Sequence, residues 1–484
     1  MLKRLFRNKV PSSVFIIFFV SIVLMIGAAT YQGLLTLYMT KLLGFTDGEA
    51  YSLYAAFAGI QYAFSLFGGY IGDRFISKRS AVLSGLLLMA LGLYFVSLGG
   101  LGSLLWGLSV YILGINLTVP NAYALVGNAY HGKHLKYELG FTLIYMGMNL
   151  GAIIGFISSG FLMRFVNFSA AFSLCSISLV MGAIVFYFYF SAFYSKKEMQ
   201  CFSKSKVLWG VLFCLLSLLF IRELLQYEFI CRLLLLLIAI LLLVILFTLA
   251  YLKRKEGAVG RRLFLFGFLL ILTVVFWAVY ALQPTVITLF INRYVHRELF
   301  GYFLPTPVIL SISPLYTLIL GGVISFFWVK SKSHQSSSSS LIVKFSVSLI
   351  SISLAFFILY LGLTLLPSGK ALPLYWMFIA FFFISFGEII LAPTSMMIAT
   401  TLVNERWRST AQGIVRLMTG AGLAISGSLA HVAALPHVDI FSVSLTGRAI
   451  YKQSFLLYGQ IPLVFGVFSF TAYKVYLSLV KLTR

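Results

Sequence analysis

The stretch Leu374 to Thr401, LYWMFIAFFFISFGEIILAPTSMMIATT, places one carboxylate, Glu388, near the middle of nearly thirty largely apolar residues. A helix needs only about 20 such residues to cross a bilayer. An ionised carboxylate at that depth costs somewhere between ~3 and more than 10 kcal/mol, so it faces a polar cavity or a partner and can take up a proton or a substrate amine. The other reading is a protonated Glu that hydrogen-bonds a neighbouring helix and serves packing alone. Every other acidic residue of the chain's twelve falls in a loop or close to a helix end. A second charge, Arg416 in GIVRLMTGAG, also lies inside an apolar stretch. It either forms an access-dependent pair with Glu388 or snorkels to the near surface.

The elements that position these groups are membrane helices. The mean hydropathy is +1.01 and only 10% of residues are charged. Apolar runs recur from end to end, and the ten-residue alternation of a β-barrel is absent. Hydropathy and loop charge predict spans at about 14–40, 50–71, 80–100, 103–128, 139–163, 168–194, 207–221, 229–252, 263–291, 302–329, 341–365, 374–401, 409–434 and 454–479. The fold class is thus an all-α integral membrane protein of fourteen helices in a six, two and six arrangement. The domain boundaries are 1–195 for an N-terminal six-helix bundle, 196–262 for two inserted helices with a basic linker, and 263–484 for a C-terminal six-helix bundle. Lys3, Arg4, Arg7 and Lys9 precede the first apolar run, which shows no clean cleavage site and reads as an uncleaved span.

The net charge of +24 sits at helix ends rather than on one soluble face. This argues against a nucleic-acid partner and for orientation by the positive-inside rule, with both termini cytoplasmic and some attraction to membrane lipids. The segment Ser331 to Ser340 reads as a flexible polar tether. Cys175, Cys201, Cys214 and Cys231 have no metal-like or paired spacing, and no metal is expected. No H-E-x-x-H or Walker-type phosphate loop occurs, and no His shares a span with an acid, so enzyme chemistry and ATP-driven transport are not expected.

Local motifs narrow the class. The loop GGYIGDRFISKR, with Asp73, Arg74, Lys78 and Arg79, resembles the gating loop between helices two and three of the major facilitator superfamily. Within that superfamily the chain resembles the proton-dependent oligopeptide transporters, the POT or peptide transporter family. The fifth span, FTLIYMGMNLGAIIGFISSGFL, is similar to the F-Y-x-x-I-N-x-G segment, with Tyr145 and Asn149 one turn apart. GINLTVPNAYALVG resembles G-N-G-x-F-K-P-N, and FWAVYALQPTVITLFINR resembles F-W-x-x-Y-E-Q-x-x-x-x-L-x-L-F-x-x-R. SFGEIILAPTSMMIATTL resembles G-E-x-x-L-S-P-x-G, which places Glu388 on the family's peptide-binding acid. The two extra central helices are similar to those of bacterial members.

The resemblance implies a major facilitator fold and a secondary carrier of di- and tripeptides in the inner membrane, working by symport, with no cofactor beyond a proton. A monomer is expected. A peptide-like zwitterion needs an acid for its amine, a cation or helix N-terminus for its carboxylate, and aromatic walls. Glu388 supplies the first. Tyr31, Gln32, Tyr62, Asn116, Tyr123, Tyr145 and Asn149 are candidates on the N-terminal side, and Trp277, Tyr280, Gln283 and Ser313 on the other. Ser21, Leu24 and Met25 stand where the family has charged first-helix residues, Val119 where it has Lys, Ala281 where it has Glu, and Ala28 and Ala29 where it has tyrosines. Arg416 then stands in for the missing Lys, or coupling runs through Glu388 alone, or the protein is an uncoupled facilitator, or it carries another small organic solute. A non-transporting sensor or assembly subunit is the alternative of another class. Pro120, Pro284, Pro314 and Pro393 are expected to break helices within the membrane, and the Gly147, Gly151, Gly155 and Gly420, Gly422, Gly427 sets to pack helices closely.

Overall fold

The computed structural model describes residues 12–129, 134–189, 204–256, 258–330, 338–367, 369–403, 407–436 and 445–482. Cys201, residues 331–337 of the expected tether, and the basic N-terminal residues lie outside them. The helices are α1 (Ser12–Lys41), α2 (Asp47–Ala63), α3 (Ser65–Arg74), α4 (Lys78–Ser97), α5 (Leu101–Ala129), α6 (His134–Phe165), α7 (Phe168–Phe188), α8 (Lys204–Gln226) and α9 (Glu228–Leu252). They continue as α10 (Ala258–Tyr280), α11 (Thr288–Tyr294), α12 (Thr306–Leu310), α13 (Ile312–Lys330), α14 (Ser338–Leu365), α15 (Tyr375–Thr401), α16 (Arg408–His431) and α17 (Leu445–Leu482). The only strands among the described residues are two-residue pieces: β1 (Val295–His296) pairs in parallel with β4 (Leu372–Pro373), and β2 (Glu298–Leu299) pairs antiparallel with β3 (Tyr302–Phe303).

Twelve helices among the described residues are long and apolar enough to cross a membrane. The two remaining predicted spans are each broken in two. Residues 50–71 divide at Phe64 into α2 and α3, and residues 302–329 form the short α12 followed by α13. α2 begins with a reciprocal cap, because the Thr46 backbone N–H donates to Glu49 and the Glu49 backbone N–H to the Thr46 hydroxyl.

The prolines behave differently from expectation. α5 runs through Pro120 and α15 runs through Pro393 without interruption. Only Pro284 coincides with a break, at the π-helical turn Gln283–Ile287 that joins α10 to α11. Pro314 sits in the first turn of α13, where a missing N–H leaves no hydrogen bond unmade. Around Pro120 side chains satisfy the helix carbonyls: Asn116 donates to the Ile112 carbonyl, and Asn121 donates to Leu117 and to Gly68. The bond lost at Pro120 is the one to the Asn116 carbonyl, which lies against Gly68 of α3 instead.

The chain divides into two compact units. The first comprises residues 1–38 and 64–227, the second residues 39–63 and 228–484. The packing units therefore depart from chain order at α2, which packs with the second unit while α3 packs with the first. In the first unit α3 lies directly on α5, and a Cβ at Gly68 would stand 1.8 Å from the Asn116 carbonyl oxygen. α6 lies as closely on α1, where a Cβ at Gly151 would meet the Ile22 carbonyl oxygen at 2.2 Å. Both contacts are with backbone, which cannot move aside. Of the cysteines, Cys175 and Cys231 are buried, and Cys175 shares a hydrogen bond with the Thr30 hydroxyl at 2.8 Å.

Replacing Gly151 by Leu forces α6 off α1 and is expected to lower stability by at least the ~1 to 3 kcal/mol typical of overpacking. Gly322→Ala, where nothing lies within 4 Å of the new carbon, is the matched control. Thermal unfolding of the two purified variants checks it, with only Gly151→Leu losing its folded baseline early.

Candidate functional site

The second unit holds Glu388 on α15, part-buried and bonded to two hydroxyls, those of Tyr280 at the end of α10 and Thr317 on α13. Thr317 also donates to the Ser313 carbonyl at 3.1 Å, and a hydroxyl has one proton to give. While Thr317 gives its proton to Ser313, it meets Glu388 as an acceptor, an arrangement that suits a protonated carboxyl. Ser313 is fixed in turn to Ser385, one turn before Glu388 on α15: the two hydroxyls lie 3.1 Å apart and the Ser385 hydroxyl donates to the Ser313 carbonyl at 2.9 Å. These serine contacts set the register of α13 against α15, and with it the position of Thr317 beside the acid.

Aromatic rings pack beside Tyr280. Trp277 packs edge-on against Tyr280 at 5.0 Å and against Phe276 at 5.7 Å, and the Tyr62 ring lies 6.5 Å from it. Tyr62 reaches Trp277 because α16 is narrow where it runs between α2 and α10. A Cβ at Gly420 would lie 2.7 Å from the Gly59 carbonyl oxygen, and one at Gly422 would lie 2.7 Å from that of Val274. The Trp277 indole nitrogen is buried and has no hydrogen-bond partner among the described residues. A buried donor left open is a place for a ligand's acceptor. Gln283 is buried within the π turn, and its backbone carbonyl accepts from Thr288 at 2.8 Å.

Thus Glu388, Tyr62, Trp277, Tyr280 and Ser313 come together in one unit. The predicted residues of the first unit are dispersed into its packing. Tyr31 is fully buried with its ring 4.5 Å from Tyr111, Gln32 is exposed, and Asn116 bonds its own helix. Asn149 is buried, donating to the Tyr145 carbonyl, and Tyr123 reaches Met148. Where α3 ends and α4 begins, Asp73 pairs with Lys78 at 3.0 Å, Arg74 is exposed and Arg79 is buried. Ser21 donates to Ile17 in its own helix, and Leu24 and Ala281 are buried and uncharged.

Arg416 and Tyr280, which bonds Glu388, lie at different levels of the second unit. Gly422, on the same helix as Arg416, is level with Trp277, and the C-terminal ends of α11 and α16 meet at Asp47, so Arg416 lies toward the opposite end from Tyr280. Six residues of α16 and three of α10 separate the two levels, roughly 13 Å along the axes.

Sequence reasoning left Asp47 among the loop acids, yet it forms the most buried ion pair among the described residues. Arg293, at the end of α11, donates to it through two nitrogens at 2.6 and 2.8 Å, and the Leu435 backbone N–H adds a third bond at 3.2 Å. The side chains are 5% and 15% exposed. The available signal was an acid in the first turn of one helix and an arginine in the last turn of another, with nothing to say that they meet.

The decisive comparison is with a family model describing the POT family, which matches residues 79–445. The chain belongs to the POT family. Among curated relatives it is 24% identical over 453 residues to dipeptide and tripeptide permease A of Erwinia pyrifoliae, covering 92% of this chain and 91% of that one. It is 25% identical over 464 residues to dipeptide and tripeptide permease B of Shigella dysenteriae, covering 94% and 92%. Among solved structures, a bacterial homologue of the human drug peptide transporters PepT1 and PepT2 superposes with a TM-score of 0.83 at 21% identity, over 96% of this chain and 99% of the other. That likeness shows the fold. The POT chain is a multi-pass membrane protein and not an enzyme.

Asp47→Asn leaves the Arg293 guanidinium buried without its counter-charge and is expected to cost about 3 to 5 kcal/mol. Thermal or chemical denaturation of the purified variant measures it. Exchanging the two residues, Asp47→Arg with Arg293→Asp, is expected to recover part of the loss, which a purely steric effect would not allow.

Proposed function

We propose that this chain carries di- and tripeptides across the bacterial inner membrane by alternating access, with both termini in the cytoplasm and as a monomer. The carrying observation is the Glu388 carboxyl set among Tyr280, Thr317, Trp277 and Tyr62 within one unit. The relatives named as dipeptide and tripeptide permeases support the substrate class. The peptide ammonium forms a charge-assisted pair with ionised Glu388, replacing the weaker hydroxyl contacts. The Trp277 N–H donates to a substrate carbonyl, and the Tyr62, Trp277 and Tyr280 rings flank the side chain. Asp73, Arg74, Lys78 and Arg79 form a cytoplasmic gating loop. The reading calls for no metal, ATP or nucleic acid, and for no cofactor beyond a proton.

Proton coupling through Glu388 has a physical requirement. A proton and a substrate ammonium both neutralise the same carboxylate, so gradient-driven accumulation needs a second place to hold the proton during the crossing. Ser21, Leu24 and Ala281, buried and uncharged, supply none, and this favours the second reading of an uncoupled facilitator. An access-dependent contact between Arg416 and Glu388 would provide the missing charge for coupling, or for the substrate carboxylate, in another conformation.

Uptake of a labelled dipeptide into proteoliposomes tests both readings. The native chain is expected to transport, and Glu388→Gln to transport at least about tenfold less, the loss of roughly 1.4 kcal/mol or more from a charge-assisted contact. Gradient-independent uptake identifies the facilitator, and accumulation driven by an inward proton gradient identifies the symporter. Absence of flux in the native chain would turn the assignment toward another solute or a non-transporting role.

A further inference from the structure

The span that ends at Tyr294 and the helix that begins at Thr306 are joined by eleven residues, and six of these form a hairpin with no counterpart elsewhere among the described residues. β2 and β3 pair Glu298 with Phe303 and Leu299 with Tyr302, and the Leu304 backbone N–H closes the hairpin on the Arg297 carbonyl at 2.7 Å. The two-residue tip is Phe300-Gly301, with φ of +50° and +80°. Two positive φ angles in succession are the type I′ turn that suits the twist of a hairpin, and its first position favours Asn, Asp or Gly. Phenylalanine there bears a steric penalty that Asn would avoid.

The same residue is 92% exposed, and Tyr302 beside it is 77% exposed. Among the described residues the strained conformation thus leaves the Phe300 ring almost wholly exposed. A strained, exposed aromatic points to something outside the chain that rewards it. Three features say what that is. The hairpin starts within four residues of a membrane-crossing helix and returns directly to the next apolar helix. Its closing pair is followed by only a few residues to the tip, about 10 Å of strand, so it remains near the level of the helix ends. Arg297 stacks its guanidinium over the Phe303 ring at 4.5 Å, and Tyr375, at the start of α15 beside the β1–β4 pairing, is 56% exposed. Aromatic rings with an arginine at a helix end make the composition of a membrane–water interface, where Phe and Tyr bury their apolar faces among headgroups and arginine meets lipid phosphate.

We propose that the 298–303 hairpin is a lipid anchor, with Phe300 and Tyr302 seated in the headgroup layer. The occupant is the bilayer that the preceding span crosses, reached by the exposed aromatic tip. The anchor is independent of what the protein transports.

Site-directed spin labelling tests it. The native cysteines are replaced, Phe300→Cys is labelled, and the full chain is reconstituted into vesicles of phosphatidylethanolamine and phosphatidylglycerol. Power saturation then compares access of oxygen, which concentrates in lipid, with that of a water-soluble nickel chelate. The anchor predicts oxygen access exceeding nickel access at this site. It also predicts that a label at Tyr302→Cys becomes more accessible to nickel when Phe300→Asn is added, since Asn keeps the turn while removing the aromatic anchor. Nickel access above oxygen at position 300 would place the tip in water and overturn the proposal. Low access to both reagents would show protein covering the tip, and would overturn it equally.

Discussion

An acid in the middle of a membrane-crossing helix must always be answered by something, and the organisation of the second unit follows from how Glu388 is answered. Two hydroxyls reach it from two other helices, and one of them, on Thr317, is itself fixed by a serine network between α13 and α15. Neither hydroxyl carries charge. The carboxyl is thereby kept solvated enough to exist in hydrocarbon without being neutralised by a fixed partner, so that a proton or an ammonium can still gain free energy by arriving. A permanent Arg or Lys neighbour would have removed that gain.

Helix packing turns this local chemistry into a site. α16 is narrow at Gly420 and Gly422, which lets α2 and α10 approach closely enough for Tyr62 and Trp277 to come within ring-contact distance. Without a hydrophobic drive between helices in lipid, such close backbone contacts are a principal source of association, so the residues that stabilise the unit also shape the ligand surface. Asp47 and Arg293 fasten α2 to the far end of α11 in the same unit. The attachment of α2 to the second unit and of α3 to the first puts the division between units inside one predicted span, at residue 64.

Much of this was legible in the residues. Hydropathy found twelve of the predicted spans, with ends off by up to nine residues, because length and apolarity are read directly from side chains. Glu388 stood out because a charge in a long apolar run has no structural commonplace to explain it. Gly147, Gly151, Gly155 and Gly420, Gly422, Gly427 were correctly tied to close packing, and the family match spans the POT motifs of the membrane helices. Other features depend on which helices meet. The break at Phe64 leaves no proline or glycine signal at that position, and Tyr31 and Gln32 differ in burial only through the direction each takes from α1. Asp47 and Arg293 are 246 residues apart. The prolines misled because a missing N–H does not by itself end a helix that its neighbours hold in place.

The account centres on Glu388 as the acceptor of a substrate amine, and competition binding to the purified carrier tests that most directly. A dipeptide is compared with the same dipeptide acetylated at its amine, on the native chain and on Glu388→Gln. The account predicts that acetylation weakens binding to the native chain by about tenfold or more, and that Glu388→Gln binds the two peptides nearly alike. Equal binding of both peptides by the native chain, or an undiminished preference for the free amine in Glu388→Gln, would contradict it.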